Sequence, residues 1–358
     1  MELSGAVPAK VNLADIDIVA PHFKRRLSGV TSTVVQLVPC QRRLGTRIAV
    51  VGPGLPSSLP HLGIRQLAGL WRRPNGKRFR VWHARRNVEM AAGIVLRDVL
   101  RMPIRLLFTS AAQRHHKATT RWMIARMDAV VATSARSGGF LRVEHSVIRH
   151  GIDTEAFHPG EPFSTEKPYR IGCSGRIRPQ KGTDLFVDTM IALLPDHPDW
   201  QAEITGRATP EHRAFAADLK ERIRAAGLAE RIRFLGEIDD IKPWYRALTL
   251  FVAPSRNEGF GLTPLEAMAS GTAVVTSNAG AYDELVDPGK TGTVAPAGDG
   301  EALREAIRPY LDDPAVAHRY GSAGARRARA HFRLEQEAQA LAAIYERLQH
   351  QPSGHRVS

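Results

Sequence analysis

Short apolar runs alternate with helix-forming stretches along this chain, and that alternation sharply restricts the folds open to it. In the second half, Tyr169–Cys173, Ala202–Thr205, Ile232–Leu235, Leu248–Ala253, Ala273–Thr276 and Gly292–Ala295 read as strands. Helical stretches fall between them, notably Thr183–Leu194, Pro210–Ala226 and Thr263–Ser270. Buried strands separated by helices predict an α/β fold whose parallel sheet is covered on both faces. The first half repeats the rhythm less clearly. Its expected strands are Ile16–Ala20, Arg47–Gly52, Phe79–Trp82, Ile104–Thr109 and Ala129–Ala132, and its expected helices Val30–Arg43, Met90–Leu100 and Ala118–Met127. A chain of 358 residues exceeds one typical core and suits two such domains. The boundary is expected in the proline-bearing Pro159–Pro168, giving domains 1–160 and 161–358. A helical tail, Ala302–Leu311, Ala315–Ala330 and Leu334–Leu348, follows the last strand.

Charge divides the chain at the same place. Residues 1–160 hold 25 Lys and Arg against 9 Asp and Glu, whereas the remainder holds 25 against 27. Between Asp17 and Glu89 there are fourteen basic residues and no acidic one. A field of one sign attracts anions: nucleic acid, an anionic bilayer surface or an acidic acceptor; a merely solubilising surface is the alternative. No zinc-finger, basic-zipper or RNA-recognition pattern occurs, so nucleic acid is not an expected partner. The two cysteines, Cys40 and Cys173, lack metal-ligand spacing and read as small apolar groups in a reducing cytoplasm. No run approaches the roughly eighteen apolar residues of a membrane span, and Met1–Leu13 lacks a signal-peptide core. Any membrane contact is therefore expected to be peripheral.

The segment Asn257–Gly271 carries the most chemistry. Glu258 and Glu266 flank a glycine-bearing turn, Gly259-Phe260-Gly261, that runs into a helix start. Thr263 is the expected N-cap, Pro264 suits the first helical position, and Glu266 falls where a capping-box glutamate reaches back. Backbone N–H groups and the positive dipole end there favour a diphosphate. Carboxylates on either side could grip the sugars that flank it, which outlines a nucleotide-sugar site. A ligand-free capping box is the other reading of Glu266. Glu258 follows a strand at the end where open α/β sheets bind ligands. A second loop, Ser174-Gly175-Arg176 with Pro179-Gln180-Lys181-Gly182, sets two cations between a strand and a helix. Arg forks onto phosphate oxygens and Lys supplies a point charge, although an ordinary basic loop has the same composition.

Together these segments resemble the retaining glycosyltransferases of family four, which have the GT-B architecture of two Rossmann-like domains facing across a cleft. The likeness rests on Glu258-Gly259-Phe260-Gly261-Leu262 with Glu266-Ala267-Met268-Ala269-Ser270-Gly271, and on the Arg176–Lys181 loop. His150-Gly151-Ile152-Asp153 with Phe157-His158-Pro159, and Arg233-Phe234-Leu235-Gly236, extend it over essentially all of residues 148–300. It implies that Arg176 and Lys181 contact the donor diphosphate, that Glu258 holds the donor sugar, and that Glu266 holds the ribose. It also implies a donor site lined by Gly259, Phe260, Gly261, Leu262 and Thr263, with no metal or cofactor required and a last helix that returns to the N-terminal domain. Ser28-Gly29-Val30 after Arg25-Arg26 resembles the family's N-terminal glycine loop, in which Gly29 would let the backbone approach the donor phosphates. A simple strand-to-helix turn is the alternative there.

The basic half is expected to hold the acceptor. Val81–Asn87 places His83, Arg85 and Arg86 at a strand's carboxyl end. Its likeness to the start of a conserved stretch of the acceptor domain makes His83 a candidate catalytic residue and the two arginines candidates for an acidic acceptor. The family's Thr-x-His pattern is missing from Leu107-Phe108-Thr109-Ser110-Ala111, and the next histidines are His115 and His116. Within the family, Trp82–Asn87, Phe108–Ala111 and Arg121-Trp122 ahead of Met127-Asp128-Ala129-Val130 most resemble the lipopolysaccharide core mannosyltransferases of rhizobial-type bacteria. That likeness implies transfer of mannose from GDP-mannose onto the Kdo residues of an anionic lipid A–core acceptor. It places a cytoplasmic, peripheral enzyme at the inner face of the cytoplasmic membrane. A UDP-hexose-dependent transferase acting on another anionic glycolipid or polysaccharide precursor is the first alternative. A non-enzymatic binder of anionic lipid or nucleic acid is the second, and it leaves the phosphate loop and paired glutamates unexplained.

Overall fold

The computed structural model describes residues 11–23, 29–160 and 167–350, and within them the apolar runs build two separate six-stranded parallel sheets. The first contains β1 (Ile18–Pro21), β2 (Ile48–Val51), β3 (Arg80–Ala84), β4 (Ile104–Ser110), β5 (Ala129–Ala132) and β6 (Ser146–Val147), ordered β2-β1-β3-β4-β5-β6. The second contains β7 (Tyr169–Ser174), β8 (Trp200–Thr205), β9 (Ile232–Gly236), β10 (Leu250–Ala253), β11 (Ala273–Ser277) and β12 (Thr293–Ala295), ordered β12-β11-β10-β7-β8-β9. Around the first lie α1 (Gly29–Arg43), α2 (Asn87–Ile94), α3 (Ala118–Ile124) and α4 (Ala135–Gly138). Around the second lie α5 (Thr183–Leu193), α6 (Arg213–Ala225), α7 (Ile241–Ala247), α8 (Leu262–Ala269), α9 (Tyr282–Leu285), α10 (Gly300–Asp312) and α11 (Pro314–His331). The final helix, α12 (Leu334–His350), belongs with the first sheet.

Both faces of each sheet are buried, which is why the strands read as continuous apolar runs. In β10, Leu250 and Val252 join Phe186 and Met190 of α5 and Ile307 of α10. The alternate residues Phe251 and Ala253 join Tyr245 of α7 with Leu265 and Met268 of α8. Each such large side chain contributes about 1.5–3 kcal/mol on full burial.

The chain divides between Gly151 and Ile152 and again between Arg333 and Leu334, not after residue 160. The cause is specific. Glu337 of α12 accepts from the Gly151 N–H at 2.8 Å and pairs with His150 Nδ1 at 2.9 Å. Leu341, Ile344 and Tyr345 of α12 then pack with Val34, Leu37 and Val38 of α1. The prolines from Pro159 onward follow the crossover instead of marking it.

Strand order reverses once in each sheet. The first sheet grows from β1 to β2, then resumes on the other side of β1 with β3; the second runs β7-β8-β9, then resumes beside β7 with β10. Open α/β sheets bind ligands at the carboxyl ends of strands flanking such a reversal. Those ends are β1/β3 in the first unit and β7/β10 in the second. Of the N-terminal glycine loop, Gly29 opens α1, while Arg25, Arg26 and Ser28 lie outside the described residues.

Candidate active site

In the second unit, β7 and β10 pair through Leu250↔Ile171 and Phe251↔Gly172, so the loops leaving them are neighbours. β7 delivers half-buried Gly175 and Arg176, then the tight turn Pro179–Lys181. Gly182 ends that turn at φ +69°, and a Cβ there would stand 2.0 Å from the Pro254 carbonyl oxygen, so only glycine lets the two loops lie together. Arg256 fastens them. Its N–H donates to Gln180 O at 2.9 Å, and its guanidinium donates to Pro179 O and to both Asp184 oxygens, each at 2.7 Å.

This seating brings the Lys181 ammonium into an ion pair with Glu258. Glu258 also accepts from the Gly259 N–H at 3.0 Å and the Tyr282 hydroxyl at 3.3 Å. Burial alone would raise the Glu258 carboxyl, but the Lys181 charge and these hydrogen bonds outweigh it and hold the group below its ordinary value. Glu258 is therefore ionised and acceptor-only, fit to receive hydroxyl donors.

The helix start differs from expectation. The N-cap of α8 is Gly261, at φ +109°, not Thr263. A Cβ at Gly261 would stand 2.1 Å from the Tyr282 ring, so the ring and the backbone angle both demand glycine. Thr263 and Pro264 become the second and third helical residues, and Pro264 has no N–H to offer. The amides directed out of this helix end are those of Gly261, Leu262 and Thr263. Glu266 does not reach back to a cap. It accepts instead from the Tyr245 hydroxyl at 2.9 Å, and burial raises its carboxyl against the opposing Tyr245 bond and Lys242 charge. The Phe260 side chain is buried in the core, so only its backbone could face a donor. A cavity of about 730 Å³ lies at the other end of the sheet, beside Leu248, Thr249, Ser270 and Gly271, and is lined by none of the candidate catalytic, donor-binding or acceptor-binding residues.

In the first unit, β3 ends at Ala84 and presents Arg85 and Arg86, both half-buried. Glu89, fully buried one helical turn on, accepts from the Arg85 N–H at 2.7 Å and from the Arg86 guanidinium at 3.3 Å. Burial raises the Glu89 carboxyl, opposed by those same arginines. His22, just past β1, pairs with Thr31 Oγ1 at 3.1 Å, and Arg86 reaches the same hydroxyl at 3.5 Å. His83 is 1% exposed, with Nδ1 2.7 Å from Tyr345 Oη and Nε2 2.7 Å from Thr109 Oγ1. Burial, reinforced by the Arg85 charge, holds its ring well below the ordinary value and so neutral. That enclosure hydrogen-bonds both ring nitrogens of this candidate within the first unit. Sequence reasoning missed Glu89, although the first acid after a long basic run, four residues past Arg85 at a helix start, was a usable signal. Tyr245, Tyr282 and Arg256 carried no signal of spacing.

Residues 168–313 match the family described as glycosyl transferases group 1. The chain is 62% identical over 344 residues to the lipopolysaccharide core biosynthesis mannosyltransferase LpcC of Rhizobium leguminosarum bv. viciae, covering 94% of this chain and 98% of that one. The chain belongs to the glycosyl transferase group 1 family. The chain is also 53% identical over 350 residues to the lipopolysaccharide core biosynthesis mannosyltransferase LpsB of Rhizobium meliloti (strain 1021), covering 94% of this chain and 99% of that one. Among solved structures, Anabaena Alr3699/HepE in complex with UDP superposes with a TM-score of 0.80 at 19% identity, covering 93% of this chain and 100% of that one. Sucrose-phosphate synthase from Thermosynechococcus elongatus gives a TM-score of 0.76 at 22% identity, covering 92% and 98%. This group 1 glycosyltransferase is an enzyme of GT-B fold.

Proposed function

We propose that this glycosyltransferase moves mannose from GDP-mannose, with retention of configuration, onto Kdo residues of the lipopolysaccharide inner core at the cytoplasmic membrane face. The observation that carries the reading is the Lys181–Glu258 pair at the β7/β10 reversal, beside the amino end of α8, in a chain 62% identical to a named core mannosyltransferase. In the reaction, the bond between the mannose anomeric carbon and the diphosphate oxygen breaks. The acceptor hydroxyl oxygen bonds to that carbon on the same face, and its proton passes to the departing phosphate. Negative charge builds on the leaving GDP. Arg176, Lys181 and the amides at Gly261–Thr263 stabilise it, the kind of contribution expected to dominate the rate.

Donor arrival exchanges partners at the ion pair. The diphosphate takes Lys181, and hydroxyls of the mannose donate to the Glu258 carboxylate. Glu266, with Tyr245 beside it, receives the ribose hydroxyls. Gly29 offers the close backbone approach at the start of α1. Arg85 and Arg86, braced by Glu89, take the carboxylates and phosphates of the acceptor. His83 acts as a positioning residue, because its neutral ring is spent on Tyr345 and Thr109.

Calorimetric titration with GDP and UDP in parallel tests the donor. Tighter binding of GDP is the expected result. A preference for UDP would replace mannose by a UDP-linked hexose, and binding of neither would remove the donor role from this site.

A further inference from the structure

α2 is apolar on two sides. Met90 and Ile94 face the core, yet Val88 and, on the π-type continuation Val95–Val99, Val95 and Val99 face solvent, Val99 at 69% exposure. A helix apolar on both sides is normally covered on both. Leu100 extends the strip, and its carbonyl accepts from the Trp71 indole N–H at 2.8 Å, which anchors that 53% exposed ring at one end. α3 packs beside α2 and carries Trp122, 55% exposed. The Arg126 guanidinium lies 4.4 Å from the Trp122 ring and 3.8 Å from Asp98, next to Val99. Two tryptophans thus border one set of valines.

The charges around the strip are predominantly basic. Arg72, Arg73 and Arg101 are exposed there, and the two carboxylates nearby are each shared between arginines, Asp98 by Arg97 and Arg126 and Asp128 by Arg97 and Arg105. Tryptophan at the edge of an apolar strip, framed by arginine, matches the boundary between anionic headgroups and acyl chains. We propose that Val88, Val95, Val99, Leu100, Trp71 and Trp122 form the face on which this enzyme docks to an anionic bilayer. The amino end of α2 follows Arg85 and Arg86, so docking by this face brings the sugars of a membrane-held acceptor to those arginines. This second step rests on the glycolipid acceptor proposed above.

The test uses the full chain and vesicles of phosphatidylcholine with or without phosphatidylglycerol. The wild type is expected to co-sediment with the anionic vesicles, and Trp71→Ala/Val99→Ser/Trp122→Ala to bind them at least tenfold more weakly. Transfer to a Kdo–lipid A acceptor embedded in those vesicles falls by a similar factor, while transfer to the same acceptor in detergent is unchanged. Val99→Asp alone probes the same face should the triple variant lose its melting transition. Equal vesicle binding by wild type and variants would overturn the proposal, as would self-association that these substitutions abolish. Variant-sensitive vesicle binding without transfer to either acceptor form would uphold the docking face and overturn the glycolipid reading.

Discussion

Glu258 and Glu266 stand on either side of the amino end of α8, and their surroundings pull them in opposite directions. Lys181 keeps Glu258 ionised, so the hydroxyl-binding role proposed for it should persist in mild acid and be lost only as pH falls through its lowered pKa. Glu258→Gln should cut kcat by about a hundredfold or more while GDP affinity changes only a few-fold, because the loss falls on transition-state contacts. Steady-state kinetics beside a GDP titration checks this, and an unchanged kcat removes the assignment. Glu266 behaves differently. Its raised folded pKa means that the ionised form weakens the fold above that pKa, and that stability recovers as pH falls toward the ordinary carboxylate range. Glu266→Gln should therefore raise the melting temperature at neutral pH, with the gain shrinking on acidification, and should weaken GDP binding. A melting temperature that drops equally at every pH would mean that Glu266 serves only structure.

At the level of elements, α12 reaches the buried His83 of the first unit through the Tyr345 hydroxyl. Tyr345 Oη lies 2.7 Å from His83 Nδ1 and accepts from Gln41 Nε2 at 3.1 Å, all within buried surroundings. Tyr345→Phe leaves those groups unpaired and should cost about 1–3 kcal/mol of stability in a denaturant titration. An unchanged midpoint would show that the network is dispensable. The elements themselves were largely legible, because strands buried on both faces and helices of regular period leave strong patterns. What stayed hidden depended on tertiary partners. α7 was missed since Pro243 reads as a breaker, yet it sits in the first turn, where no intrahelical N–H partner is needed, behind an Asp240 cap. The cap of α8 was misplaced because Thr263-Pro264 is a good local signal, overridden by the packing of Gly261 on Tyr282. His83 was legible as a histidine at a strand's carboxyl end, but not as one closed off by a helix some 260 residues later.

Over the whole molecule, the proposed function assigns the anionic acceptor to the basic first unit and the donor to the near-neutral second. Ionic strength should then act on the acceptor: its KM rises between 50 and 200 mM salt, while GDP affinity moves little. Arg85→Gln/Arg86→Gln should raise that KM and flatten its salt dependence; no shift in either would free these arginines from the acceptor. Both candidate regions were legible because each lies at the carboxyl ends of strands, but the division at Gly151/Ile152 was hidden, since Glu337 of a distant helix binds the Gly151 N–H. The most direct measurement is transfer from GDP-mannose to a Kdo–lipid A acceptor by the purified chain, with the product's anomeric configuration read by NMR. The expected product is one α-linked mannose on Kdo, with release of GDP. A β linkage, or consumption of a UDP-hexose with GDP-mannose left intact, would contradict it.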